Sequence, residues 1–122
     1  MIKSVLIVDD EKVLTDAYAI ILTKSGYQVY VANSAPDGLD IVAKHKIDLI
    51  FLDILMPDMN GIEFLQKMKP KKYPHTKIVI LSNIENPEVV SAAKKLGAYK
   101  YLLKVNYTPY DLAHLVADLS EK

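Results

Sequence analysis

Residues 5–12 read VLIVDDEK: four apolar side chains, Val5 to Val8, run straight into Asp9, Asp10 and Glu11. An unbroken apolar run of that length suits a strand buried on both faces. The acids then stand where the strand ends. Carboxylates crowded at the edge of a core repel one another and cost free energy to desolvate. The kind of sheet that buries such a strand, and the use of its acids, can both be read outward from here.

Similar runs recur along the chain, at residues 4–8, 27–32, 48–52, 77–81 and 99–103, each rich in Val, Ile, Leu or Tyr. Between them the apolar residues fall at helical spacing: Leu14, Ala17, Tyr18 and Ile21; Leu39 and Val42; Ile62 and Leu65; Val89, Ala93 and Leu96; Leu112, Leu115, Val116 and Leu119. Ser25-Gly26 and Leu96-Gly97 suit helix ends, Ser34 and Asn86-Pro87 helix starts. Five strand–helix units predict an α/β domain, residues 1–122, with a parallel sheet covered on both faces. The expected fold is the flavodoxin-like (βα)5 arrangement, strand order 2-1-3-4-5.

Composition narrows the function classes. The chain has 122 residues, 51% apolar and 25% charged, with 15 basic residues against 15 acidic ones. That balance supplies no global field for nucleic acid or an anionic membrane. Cysteine is absent, which excludes disulfides and thiolate metal sites. No apolar run approaches the length of about 18 residues that a membrane span needs, and the N-terminus lacks the form of a signal sequence. A cytoplasmic protein is expected.

In open parallel sheets, ligands bind outside the carboxyl ends of the strands where the strand order reverses, here between the first and third. Asp9 and Asp10 end the first strand, Asp53 ends the third, Ser82 the fourth and Lys104 the fifth. Three carboxylates at one edge call for a hard cation with oxygen ligands, and Mg²⁺ typically takes carboxylates, waters and a phosphate oxygen. Lys104 adds a positive charge and Ser82 a hydroxyl donor. These parts describe a phosphoryl site in which Asp53 is placed to become an aspartyl phosphate.

The motifs LIVDDE, DILMPDMNG, ILSN and GAYKYLLK, in that order along the whole chain, resemble the receiver domain of two-component response regulators, the chemotaxis-regulator type. The resemblance implies that Asp53 is the phosphoacceptor and that Asp9, Asp10, Asp53 and the backbone carbonyl of Leu55 hold Mg²⁺ or Mn²⁺. It makes Ser82 and Lys104 the phosphoryl-binding pair and Tyr101 the aromatic switch residue, which turns inward as Ser82 moves. It further implies a sensor histidine kinase or histidine phosphotransfer protein as partner, with small phosphodonors such as acetyl phosphate as substitutes. Output would pass through a protein partner or a fused effector outside this chain, with no direct contact to nucleic acid or membrane. Such a domain is a phosphorylation switch rather than an ordinary enzyme.

Two positions depart from the pattern. The family's lysine is followed by proline, usually through a cis bond, whereas Val105 follows Lys104. A cis bond before a non-proline residue costs about 2.5–4 kcal/mol, so a trans bond is expected, or a strained cis one, either of which can displace the lysine amine. Asn83 follows Ser82 where the family prefers a small residue, and its bulk would narrow access to the phosphoryl site. Leu55 and Ile84 cannot orient an attacking water, which implies a long-lived phosphoryl group. Glu11 reads as a favourable charge at a helix N-terminus. His45, His75 and His114, with Lys67, Lys69, Lys71 and Lys72, read as solvated surface, while Tyr99, Tyr107 and Tyr110 suit either core or an output surface.

The missing proline leaves one rival, a pseudo-receiver that binds partners without taking phosphate. A Mg²⁺-dependent phosphatase of the aspartyl-nucleophile class is disfavoured because Leu55 stands where its second Asp would be. A flavodoxin is disfavoured because DDEK replaces its phosphate loop.

Overall fold

The structure, a computed structural model, describes residues 1–121. The elements alternate as predicted: β1 (Ser4–Val8), α1 (Lys12–Lys24), β2 (Gln28–Ala32), α2 (Ala35–Lys44), β3 (Leu49–Leu52), α3 (Gly61–Met68), β4 (Lys77–Ser82), α4 (Pro87–Lys95), β5 (Lys100–Leu103) and α5 (Pro109–Ser120). All strand pairings are parallel, in the order β2-β1-β3-β4-β5. β2, β3 and β5 each begin one residue later than the apolar runs suggest, and β4 runs on to Ser82.

The near-continuous apolar runs have a simple cause, which is that alternate residues serve two cores. Leu6, Val8, Ile50, Leu52, Ile78 and Ile80 point into a core shared with α2, α3 and α4, including Phe64, Leu65 and Ala93. Val5, Ile7, Leu49, Phe51, Val79 and Leu81 point into the other, against Tyr18 and Leu22 of α1 and Leu112, Val116 and Leu119 of α5. The strand period of two is present but masked, because both faces are covered. On α1 the fully buried stripe is Thr15, Tyr18 and Leu22, about one residue further along than the apolar pattern marks. Thr15 replaces an apolar residue there, and its role belongs to the site.

Helix ends obey local chemistry. Ser34 caps α2 by accepting from the Asp37 amide, and Asn86 caps α4 by accepting from Glu88 and Val89. Reciprocal capping boxes, Asn60 with Glu63 and Thr108 with Asp111, start α3 and α5. Gly26 and Gly97 have positive φ, +98° and +118°, where L side chains are strained. Because every helix runs antiparallel to the strands, the N-terminal caps lie at the edge where the strands end, and Gly26 and Gly97 lie at the opposite one.

Candidate functional site

The C-terminal edge of the sheet gathers the residues that the sequence singles out. Asp9, Asp53, Ser82 and Lys104 are all buried, between 1% and 6% exposed, while Asp10 faces solvent. Asp9, Asp10 and Asp53 each offer a carboxylate oxygen within 4.8 Å of the others. The Asp53 amide donates to the Val8 carbonyl (3.0 Å), extending the β1–β3 ladder one rung and drawing Asp53 against the end of β1.

Each buried acid divides its oxygens between backbone and lysine. Asp9 Oδ1 accepts from the Glu11 amide at 2.9 Å and Oδ2 pairs with Lys104 Nζ at 2.7 Å. Asp53 Oδ1 accepts from the Ile54 amide at 2.8 Å and Oδ2 from Lys104 Nζ at 3.0 Å. A third bond runs from Lys104 Nζ to Glu11 Oε1 at 2.8 Å. An ammonium has three donors, and here each one meets a different carboxylate. Four acids (Asp9, Asp10, Glu11 and Asp53) against one Lys104 leave a local excess of three negative charges.

Titration follows from this crowding. Burial pushes the Asp9 carboxyl above its ordinary value, more than its bonds to Lys104 and to the Glu11 amide pull it down. Lys104 behaves oppositely. Burial would lower it, but Asp9, Glu11 and Asp53 together raise it well above the usual lysine range, so it stays charged. Tyr18, buried in the α1–α5 core, has its phenol pushed up to about 12, chiefly by burial.

Glu11 is the residue whose role the sequence under-reads. It occupies the N-cap position of α1 but makes no side-chain cap, because its carboxylate turns to Lys104, 93 residues away. Asn33 and Thr15 belong to the site without standing out in the sequence. Asn33 Nδ2 donates to the Asp9 carbonyl (2.8 Å) and to Thr15 Oγ1 (3.1 Å), and Thr15 donates to the Lys12 carbonyl (3.0 Å). That network braces the turn carrying the acids. Thr15 carries a faint signal, as a polar residue at a core-facing helical position, whereas Asn33 carries none.

The peptide bonds of the described residues are all trans, including Lys104–Val105. The displacement of the lysine amine that the missing proline suggested does not occur, since a short 3₁₀ turn at Lys104–Asn106 holds it between Asp9 and Asp53. Ser82 Oγ accepts from the Ile84 amide at 3.3 Å, and the Tyr101 hydroxyl donates to the Ile84 carbonyl at 2.7 Å. Burial raises the Tyr101 phenol's pKa, with a nearby Ser82 contact acting the other way. The ring is half-buried and packs on the α2–α4 core, so it is already docked in the β4–α4 loop. Leu55, at 66% exposure, lies in the loop after Asp53.

Residues 5–118 match the family model of the response regulator receiver domain. The chain belongs to that family. Chemotaxis protein CheY of Treponema pallidum is 40% identical over 105 residues, spanning 82% of this chain and 71% of CheY. Sporulation initiation phosphotransferase F of Bacillus subtilis is 32% identical over 112 residues, spanning 92% of this chain and 86% of the relative. A CheY-like receiver domain protein of Methanospirillum hungatei has a solved structure that superposes with a TM-score of 0.88 at 31% identity, covering 97% of this chain and 93% of its own. Receiver domains are modules of phosphorylation-dependent signalling, and that general function comes with membership.

The remaining expectations fall out individually. His45, His75 and His114 and the four lysines from Lys67 to Lys72 are exposed, with His45 stacked on Tyr30 at 4.7 Å between ring centroids. The three tyrosines divide: Tyr107 packs on the α1–α5 core, while Tyr99 and Tyr110 are exposed. Among the described residues no helix is long and apolar enough to cross a membrane.

Proposed function

We propose that this receiver domain accepts a phosphoryl group on Asp53 and thereby changes its partner-binding surface. The observation that carries the reading is the single ammonium of Lys104 bridging Asp9 and Asp53, beside three carboxylates with converging oxygens. A carboxylate oxygen of Asp53 forms the new P–O bond as the bond to the donor's leaving group breaks. Acetate, or the imidazole of a phosphohistidine, departs with the electron pair. Lys104, held by Glu11 as well as by Asp9, is positioned to neutralise charge on the transferred group. Ser82 is positioned to donate its hydroxyl to a phosphoryl oxygen.

The donor set fits a divalent cation: three hard oxygens, two of the three residues buried, and one acid exposed to admit water. Asp9, Asp10, Asp53 and the Leu55 carbonyl would hold it. Mg²⁺ or Mn²⁺, when bound, supplies charge neutralisation between the acids and the incoming phosphate. Without it, about −1.5 to −2 of added phosphate charge would meet an edge that is already three charges in excess.

The switch follows from the grip on Ile84. Ser82 holds its amide and Tyr101 its carbonyl, so a Ser82 hydroxyl drawn toward phosphate moves the loop on which Tyr101 is docked. Tyr101 is already partly inward, and phosphorylation therefore tightens an existing contact. A histidine kinase or histidine phosphotransfer protein is the natural donor, in keeping with a relative named as a phosphotransferase. Val13, Leu55 and Val105, all more than 60% exposed, lie on the segments that carry the acids and the lysine and suit an apolar partner surface. The cytoplasm is the compartment such a donor implies. The pseudo-receiver alternative draws on the missing proline, and the lysine seated between Asp9 and Asp53 supports the phosphoacceptor reading over it.

Beryllofluoride with Mg²⁺, a mimic of the phosphoryl group, tests the pocket without a kinase. Saturable binding to the wild type, followed by amide NMR shifts at Ser82, Ile84 and Tyr101, is expected. No binding would reject the reading.

A further inference from the structure

The two departures from the family pattern touch each other. Where the family has proline, Val105 retains a backbone N–H, and that amide donates to Asn83 Oδ1 at 3.0 Å. Asn83 is in turn the residue that replaces a small side chain after Ser82. Proline could not make this bond, and a small apolar side chain could not accept it.

Position makes the bond consequential. β4 and β5 pair in register up to Ser82 opposite Leu103, so the next residues in line are Asn83 and Lys104. At that point the backbone ladder stops, and the Asn83 carboxamide reaches Val105 as a side-chain rung one step beyond it. The rung ties the backbone just after Ser82 to the backbone just after Lys104. Lys104 bonds Asp53 and Ser82 ends the strand beside it, while Asn83 and Val105 themselves are exposed, Val105 at 76%.

We propose that Asn83 is a positioning residue: its bond to Val105 replaces the rigidity that proline supplies, holding Lys104 and Ser82 at a fixed separation around Asp53. The proposal rests on the phosphoacceptor reading of the site. It also gives Asn83 a use other than narrowing access, since its oxygen is committed to Val105 and its bulk is turned to the neighbouring loop.

The test compares five chains: wild type, Asn83→Ala, Val105→Ala, which keeps the N–H, Val105→Pro, which removes it, and the double variant that combines Asn83→Ala with Val105→Pro. Two readouts separate the bond from its consequence. Hydrogen exchange of the Val105 amide reports the bond, and the rate of Asp53 phosphorylation by acetyl phosphate with Mg²⁺ reports positioning. In Asn83→Ala the Val105 amide should exchange several-fold faster and phosphorylation should slow about two- to tenfold, the range that loss of one neutral hydrogen bond allows. Val105→Ala should match wild type in both. Asn83→Ala should add little when combined with Val105→Pro, because the bond is already gone, and thermal unfolding should stay cooperative, lowered by no more than several degrees in any variant.

Unchanged Val105 exchange in Asn83→Ala would overturn the latch. So would a full loss of rate when Asn83→Ala is added to Val105→Pro, where no Val105 N–H remains to be held. Faster exchange with an unchanged rate would overturn the positioning role. A wild type that takes no phosphate would instead reject the phosphoacceptor reading. The latch would then stand or fall on the Val105 exchange alone.

Discussion

Lys104 is a side chain asked to serve three carboxylates at once, and its removal separates electrostatics from packing. In Lys104→Met the stem is approximately retained while Asp9 and Asp53 lose the buried counter-charge that bridges them. Breaking a buried pair by deleting one partner costs about 3–5 kcal/mol. Asp10 and Glu11 are exposed and admit water, so the expected loss is toward the lower end, about 3 kcal/mol. Urea unfolding in chelator should show it, and millimolar Mg²⁺ should restore much of it, because a cation occupying the acids relieves the same repulsion. The variant should still take phosphate far more slowly than wild type, with or without that restored stability. A Lys104→Met protein as stable as wild type in chelator would mean that the acids do not strain the fold.

At the scale of elements, the loop between β3 and α3 fixes where Asp53 stands. The Gly61 amide donates to the Ile54 carbonyl at 2.9 Å, and a Cβ on Gly61 would lie 2.4 Å from the Asp53 carbonyl oxygen and 2.9 Å from Ile54 Cα. Both are backbone atoms with nowhere to retreat. Gly61→Ala should cost about 1–3 kcal/mol or more and slow phosphorylation by shifting Asp53. Unfolding and acetyl phosphate kinetics on one sample check both effects.

The opposite edge is pinned by Asp48, at the start of β3. Its carboxylate accepts from the Lys3 and Ser4 amides at 2.8 and 3.1 Å, seating the beginning of β1. Burial alone would raise its pKa, but these bonds and the Ser4 hydroxyl outweigh it and hold the carboxyl below its ordinary value. A depressed folded pKa gives stability that is present above the unfolded value, about 3.9, and lost as pH falls through the folded one. Asp48→Asn should therefore be less stable than wild type by about 1–2 kcal/mol at neutral pH, and the gap should close in the acid range below about pH 4. Urea midpoints at the two pH values measure it, and a gap that stayed constant would contradict the assignment.

Much of this architecture is legible locally. Ser34, Asn86-Pro87, Gly26 and Gly97 mark helix boundaries through contacts within a few residues, and the apolar runs locate every strand to within a residue. The site is legible only in part. Asp9, Asp10, Asp53, Ser82 and Lys104 come from strand ends once the topology is drawn. Glu11's turn to Lys104, Asn33's brace on Asp9 and Asn83's bond to Val105 span 93, 24 and 22 residues. No local pattern encodes such pairings, because each depends on two loops meeting in space.

The whole molecule is neutral by count and polarised by arrangement. α2, α3, α4 and α5 carry an acid in the first turn, and α1, α2, α3 and α4 a lysine in the last. Each choice complements its helix dipole. Since all five helices run the same way, the choices add up to an acidic edge around Asp53 and a basic edge at the opposite end. On the proposed function, phosphate is brought to this acidic edge, where Lys104 and a bound cation would offset its charge. The most direct measurement is intact mass after incubation with acetyl phosphate and Mg²⁺, for wild type and Asp53→Asn. A mass gain of one phosphoryl group in wild type, absent from Asp53→Asn and abolished by chelator, is the result predicted here. No gain in wild type, or an equal gain in Asp53→Asn, would contradict the account.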